Sequence, residues 1–180
     1  MTDEVLMRAV RDGDVDKLGL LFERHHAGLF DFLSRMTGNR TAAEDLTQDV
    51  FVRMLKYRRT FRDDGRFETW MFHIARNARA DYFRGRATVD VTDEAMDAAT
   101  DAPGPAQLVE RDQETALLRR ALLQLRDDNR ELIVMARYRG MRHEAIADLL
   151  GVDVGTVKVR IHRAMKELRE IFLRLTGNRS

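Results

Sequence analysis

Cysteine is absent from this 180-residue chain. That excludes disulfides, thiolate metal sites and a cysteine nucleophile. Proline occurs only as Pro103 and Pro105, with Gly104 between them. No segment alternates apolar and polar residues with period two, so the chain reads as all-α. No apolar run approaches the roughly 20 residues of a membrane span, and no membrane insertion by this chain is expected. Met1-Thr-Asp-Glu4 lacks the basic start of a signal peptide. The expectation is a soluble, cytoplasmic protein. The five histidines are scattered, and adjacent His25 and His26 cannot share one helical face. Neither a metal, a cofactor nor a catalytic residue is expected. An excess of charge is missing too. The net charge is +1, so any nucleic-acid surface must come from local segregation of charge.

Against these absences, 44% of the residues are apolar, enough to bury a core in one medium domain or two small ones. The most informative stretch is Ile146–Met165. It reads as a helix, a turn at Gly151 and a second helix, with Asp153 at the N-cap position. Val157, Ile161, Ala164 and Leu168 recur as one inward stripe. Val159, His162, Arg163 and Lys166 point away from it, flanked by Lys158, Arg160 and Arg169. An apolar stripe backed by a basic face suits a helix that docks in the major groove. The pattern alone also fits a solvated face in a helical bundle.

The rest divides into two helical units. A short helix covers about Asp3–Asp12, and a second runs from near Asp14 to Met36 with Leu18, Leu21, Phe22, Leu29, Phe32 and Leu33 inward. Gly38-Asn39 stops it. Thr41-Ala-Ala-Glu44 reads as a capping box opening a third helix to about Tyr57. A fourth covers Phe67–Arg84. Ala87–Glu110 contains Asp90, Asp93, Glu94, Asp97, Asp101 and Glu110 and neither Lys nor Arg. It reads as a flexible acidic linker. Helix resumes at about Ala106–Leu125, and Asp128-Asn-Arg-Glu131 marks a further start. The expected division is 1–88, 89–110 as linker, and 111–180.

Two faces of the N-terminal unit stand out. On Ala42–Tyr57, the residues Leu46, Val50, Met54 and Tyr57 form the buried stripe. Asp45, Gln48, Asp49, Val52 and Lys56 lie opposite, with Leu55 nearby. Acidic and apolar groups mixed on one face suit a basic protein partner, although a plain surface face has the same pattern. On the fourth helix, Phe67, Trp70, Met71, Ile74, Ala78 and Tyr82 are inward. Thr69, His73, Arg76, Ala80, Phe83 and Arg84 face outward, flanked by Phe72, Asn77 and Arg79. Arginines interleaved with aromatics suit single-stranded DNA, whose phosphates attract the cations while its bases stack. Trp70 by itself fits the core better than a base platform.

Three stretches carry a resemblance to a known family. Ala147, Leu150-Gly151, Val154-Gly-Thr-Val-Lys158, Arg160 and His162-Arg-Ala164 resemble the promoter-reading helix-turn-helix of bacterial sigma factors, in particular the extracytoplasmic-function branch. Ala43–Phe51 with Arg53 resembles the segment of that family that grips the clamp helices of core RNA polymerase. Phe67–Asn77 resembles the segment that melts and reads the -10 element, and the loop before it, Asp63–Arg66, matches the one that captures an extruded base. The resemblance spans both units and their order.

It implies a transcription initiation factor, not an enzyme. Its partners would be core RNA polymerase, through clamp helices and flap, then promoter DNA and an anti-sigma factor. The implied polymerase contacts are Asp45, Gln48, Asp49, Val52 and Arg53. Those to the -10 element are Asp64, Arg66, Arg76, Asn77, Arg79 and Arg84. Those to the -35 element are Thr156, Lys158, Val159, Arg160, His162, Arg163 and Lys166. Two departures show. Met141-Arg-His143 stands where the family usually has a hydroxyl cap, and Val159 replaces a small polar residue. The acidic linker either mimics RNA in a polymerase channel or is an ordinary solvated tether. On the residues alone two other classes stay open, a dimeric regulator of duplex operators and a helical adaptor with no DNA role. The first leaves the aromatic-basic helix unexplained, and the second leaves the basic face of Val157–Arg169 unexplained.

Overall fold

The computed structural model describes residues 1–87 and 106–177, with side chains for 1–85 and 113–177. Among the described residues all regular structure is helical. The N-terminal unit contains α1 (Asp3–Asp12), α2 (Lys17–Thr37), α3 (Arg40–Lys56) and α4 (Phe67–Ala87). Thr2 caps α1 by accepting the Val5 N–H on Oγ1. Gly38, at φ 67°, closes α2 by donating its N–H to the Ser34 carbonyl. The left-handed backbone there is open to glycine at little steric cost.

Several expectations for this unit need correction. The cap of α3 is Asn39, whose Oδ1 accepts the Ala42 N–H at 2.9 Å. Thr41 therefore lies inside the first turn, and Glu44 pairs with Arg40 at 3.1 Å instead of closing a capping box. Phe22 and Tyr57 are exposed. Phe22 stacks on His26 at the surface, and Tyr57 sits where the chain leaves the helix, so the period no longer turns it inward. Leu55, expected to be exposed, packs partly buried against the core. In the opposite sense, Phe72 and Arg79 are buried. The ring of Phe72 meets Phe32 edge-to-face at 4.9 Å, an arrangement worth about 0.5–1.5 kcal/mol beyond its buried area. The buried sector of α4 is wider than one stripe because Phe72 packs against Phe32 of α2 while Arg79 is covered by Asp127 and Glu131 of the C-terminal unit.

The C-terminal unit contains α5 (Ala106–Gln124), α6 (Asp127–Ile133), α7 (His143–Leu150) and α8 (Val154–Gly177). The acidic segment expected over Ala87–Glu110 falls mainly on residues 88–105, outside the described residues. The Asp128–Glu131 cap does not form. Helix α6 starts at Asp127 after Arg126 without a side-chain cap, and Glu131 is buried. A π-helical turn, Val134–Tyr138, follows, with the Arg139 N–H on the Val134 carbonyl. The extra residue in that turn re-aims Tyr138 and Arg139. As the sequence suggests, α7 opens at Arg142 without a side-chain cap.

The two units pack against each other. Arg130 carries much of this junction. Its guanidinium donates to the carbonyls of Leu122, Leu123 and Leu125 at the end of α5 and to that of Met36 at the end of α2. One cation thus satisfies the orphan carbonyls of two helix C-termini, where the helix dipole favours positive charge. Gly28 leaves room for the guanidinium of Arg139, since a Cβ there would lie 2.0 Å from its Nη1. The Arg35 guanidinium lies 3.8 Å from the Tyr138 ring centre.

Candidate nucleic-acid and protein interfaces

Helix α8 has the two faces its sequence demands. Val157, Ile161, Ala164, Leu168 and Ile171 are buried. Lys158, Val159, His162, Arg163 and Lys166 are exposed, Val159 to 51%. The turn before it is set by Gly151 at φ 66°. Asp153 fixes the helix start, its Oδ1 accepting the Thr156 N–H at 2.8 Å and its Oδ2 the Thr156 hydroxyl at 2.6 Å. Those bonds, the hydroxyl's first, hold the Asp153 carboxyl below the usual range. Thr156 thus spends its side chain on the cap. Arg160 is half-buried, with Nη2 3.6 Å from Asp128. The exposed outer face is made by Lys158, Val159, His162, Arg163 and Lys166.

Helix α3 presents Asp45, Gln48 and Val52 to solvent, Val52 at 64% exposure. Asp49 and Arg53 are partly covered. Arg53 Nε donates to Asp49 at 2.8 Å and its Nη1 to Asp81 of α4 at 2.6 Å. Asp81 also accepts from Arg84. The Arg53 hydrogen bond, then that of Arg84, holds the Asp81 carboxyl below its usual range. A charge chain Asp49–Arg53–Asp81–Arg84 therefore joins the acidic face of α3 to the basic end of α4.

The structure divides the expected strand-binding residues. Asp64, Arg66, Asn77 and Arg84 are exposed. Arg76 and Arg79 instead reach the other unit. Arg79 makes a two-pronged pair with Asp127, both bonds at 2.8 Å, and lies 3.4 Å from Glu131. Arg76 Nε donates to Glu131 at 3.0 Å and its Nη1 to the Leu149 carbonyl at 3.3 Å. Arg79 and Glu131 are only 7% and 4% exposed. Partial burial and, second, the Arg76 charge lower the pKa of His73. Trp70 is partly covered, its ring edge-on to Phe61 and its Nε1 donating to Thr60 Oγ1 at 3.1 Å.

A support for the loop before α4 escaped the sequence reading. Arg8 Nη1 donates to the Asp63 carbonyl at 3.1 Å. Arg11 Nη1 donates to the Phe61 carbonyl and, at 2.7 Å, to Asp63 Oδ1. Glu4 accepts the Phe67 N–H at 3.4 Å. Glu4, Arg8 and Arg11 share one face of α1 by their spacing, which was the available signal.

A helix-turn-helix with a free basic face, joined to a second helical unit with an arginine-bearing helix, defines a DNA-binding protein. The family model for sigma-70 region 2 matches residues 21–88, and that for sigma-70 region 4 matches residues 115–168. The chain is 36% identical to RNA polymerase sigma factor CarQ of Myxococcus xanthus, over 92% of this chain and 94% of CarQ. It is 32% identical to ECF RNA polymerase sigma factor SigE of Mycolicibacterium smegmatis, over 94% of this chain and 68% of SigE. Among solved structures it is similar to sigma factor RpoE of Bartonella quintana in complex with the anti-sigma factor NepR. That match has a TM-score of 0.68 and 25% identity, over 85% of this chain and 94% of RpoE. The chain belongs to the extracytoplasmic-function sigma factors of RNA polymerase. It is a promoter-specific transcription initiation factor rather than an enzyme. Among the described residues no helix is long and apolar enough to cross a membrane.

Proposed function

We propose that the three faces divide the work of initiation. The exposed side of α3, through Asp45, Gln48, Asp49, Val52 and Arg53, binds core polymerase. The loop and outer side of α4, through Asp64, Arg66, Arg76, Asn77, Arg79 and Arg84, bind the opened -10 strand. The outer side of α8, through Lys158, Val159, His162, Arg163 and Lys166, reads the -35 duplex, with Thr156 and Arg160 setting its edge. The units correspond to residues 1–88 and 111–180, joined through 89–110, and the protein works in the cytoplasm. An anti-sigma factor is its regulatory partner, in keeping with the NepR-bound state of the similar RpoE structure.

The observation that carries this reading is α8, with its apolar stripe from Val157 to Ile171 buried, its start pinned by Asp153 and its cations in water. Arg163 and Lys158 have the reach for a guanine edge, where a lost bidentate contact costs about 1–3 kcal/mol and relaxes preference at one position. Lys166 lies further along and meets phosphate, so Lys166→Ala weakens all sequences alike and lowers the salt slope by about one. His162 meets a base edge when neutral and a phosphate when protonated. Binding of each alanine variant, as holoenzyme, to a library of -35 variants at several salt concentrations tests this. Unchanged affinity and preference throughout Lys158–Lys166 would sink it. For the -10 face, Arg76→Ala holoenzyme yields fewer open complexes by permanganate reactivity while still assembling with core.

A further inference from the structure

We propose that Tyr57, with Lys56, Arg59 and Arg62 around it, is a stacking subsite for a further nucleotide of unpaired DNA, next to the Asp63–Arg66 loop. The inference rests on the assignment of that loop to the opened -10 strand and extends it to a segment that no site above uses. Lys56-Tyr-Arg-Arg-Thr-Phe-Arg62 carries four cations and no acid. Helical period turns Tyr57 inward, yet its ring is 43% exposed, because a 3-10 turn, Arg58–Thr60, ends the helix there. Lys56, Arg59 and Arg62 are exposed with it. Lys56 Nζ lies 5.4 Å from the Tyr57 ring centre. Among the described residues no carboxylate pairs with Lys56 or Arg59. Arg62 pairs with Asp64, both side chains more than three-quarters exposed. An ion pair so exposed is worth little and yields readily to phosphate.

The backbone beneath the ring is fixed. Trp70 Nε1 donates to Thr60 Oγ1 at 3.1 Å, and the Thr60 hydroxyl donates to the Tyr57 carbonyl at 2.8 Å. This two-bond chain ties Tyr57 to α4. Arg58 turns back instead, its Nη1 donating to the Leu55 carbonyl at 2.8 Å, one of the orphan acceptors at the end of α3. Arg11 then anchors both the end of the turn, at the Phe61 carbonyl, and the loop, at Asp63. Turn and loop are thus one continuous support, and a strand seated in the loop runs on past Arg62 towards Tyr57. An aromatic face among cations suits single-stranded nucleic acid, because the ring stacks on any base and the cations follow the phosphates. Duplex DNA keeps its bases stacked and offers none to the ring. An acidic protein surface would satisfy the cations and leave the ring unused. The subsite therefore adds affinity for the opened strand without adding sequence preference.

The test uses the full chain as holoenzyme. The probe is a fluorescent non-template strand from a promoter that the holoenzyme transcribes. It ends at the edges of the -10 element or carries a short thymidine extension beyond one edge or the other. Anisotropy gives its affinity at several salt concentrations. For the parent, one of the two extensions tightens binding about fivefold or more, as one stacked base predicts. Tyr57→Ala removes that gain and leaves the affinity for the short strand unchanged. Tyr57→Phe keeps the aromatic face and retains the gain. Arg59→Ala weakens binding of the extended strand and lowers its salt slope by about 0.7, the mark of one single-strand phosphate contact. Helicity and core affinity stay at the parent values in all three variants. Absence of any gain in the parent, or an equal gain in Tyr57→Ala, overturns the subsite. So does a loss shared by short and extended strands, which would make Tyr57 a support of the loop. Weaker core affinity in Tyr57→Ala or Arg59→Ala would give the patch to polymerase instead. Failure of the -10 assignment itself shows separately, as unchanged affinity of Arg66→Ala holoenzyme for the short strand.

Discussion

Helices α8 and α4 carry the same kind of cation and keep it in opposite states. The Arg163 and Lys166 side chains of α8 stand in water. The Arg76 and Arg79 side chains of α4 are held by carboxylates of the other unit. On the proposed assignment, duplex -35 DNA offers α8 its groove ready-made, so a reader of it gains from a surface already in place. The unpaired -10 strand proposed for α4 exists only after melting, so a surface for it has no proper ligand beforehand. The comparison teaches that a basic face in a sequence gives the chemistry of a ligand but not whether the site is open to it.

The sharpest way to break the comparison is to truncate one arginine on each helix. Arg79→Ala removes a cation from beside buried Glu131. Breaking such a pair destabilises the folded form by up to about 3 kcal/mol, less where the units part and water reaches the acid. Arg163→Ala, on an exposed face, leaves thermal unfolding within about 0.5 kcal/mol of the parent. Calorimetry of the two variants side by side checks this, and equal effects would erase the distinction. Asp49→Arg comes next. A like charge set against a basic partner costs about 2 kcal/mol or more of core affinity, measured by competition for core polymerase. The Arg53–Asp81 bond survives, so helicity is kept.

Smaller effects sharpen the picture around α4. Arg11→Ala releases the Phe61 and Asp63 anchors of the preceding loop. Open-complex formation then falls a few-fold, as loosening of a positioning contact predicts, while core affinity stays at the parent value. The smallest effect is on α8. The Asp153 carboxyl is depressed by its bonds to Thr156. Its capping contribution is therefore complete above the ordinary aspartate value of about 3.9 and fades as pH falls through the lower folded value. Asp153→Asn keeps a cap with no titration. The melting temperatures of parent and variant should differ by a constant amount from pH 7 to 5, and the parent should lose ground only in stronger acid.

The helices and the faces of α8 were legible in the sequence because their periods reflect one-sided burial, which local spacing records. The glycine stop at Gly38 and the cap at Asp153 were legible for the same local reason. The α3 cap was misplaced because Asn39 and Thr41 are both competent caps, and only the path of the chain out of Gly38 chooses between them. The fate of Arg79 was not legible. A guanidinium on the flank of an amphipathic helix reads as solvated until a partner 48 residues away is known to face it.

The sequence by itself determined the all-helical class, the two units, the family and the chemical character of each face. These follow from side-chain type and short-range spacing, and the polymer cannot evade them. Only the tertiary structure decided which cations are available. Contacts from α2 and α6 buried Phe72 and Arg79, the π-helical turn aimed Arg139 at the space left by Gly28, and Glu131 met two arginines instead of capping α6. Each of these depends on residues far apart in the chain being brought within hydrogen-bond reach, and on the high cost of leaving a buried charge unpaired.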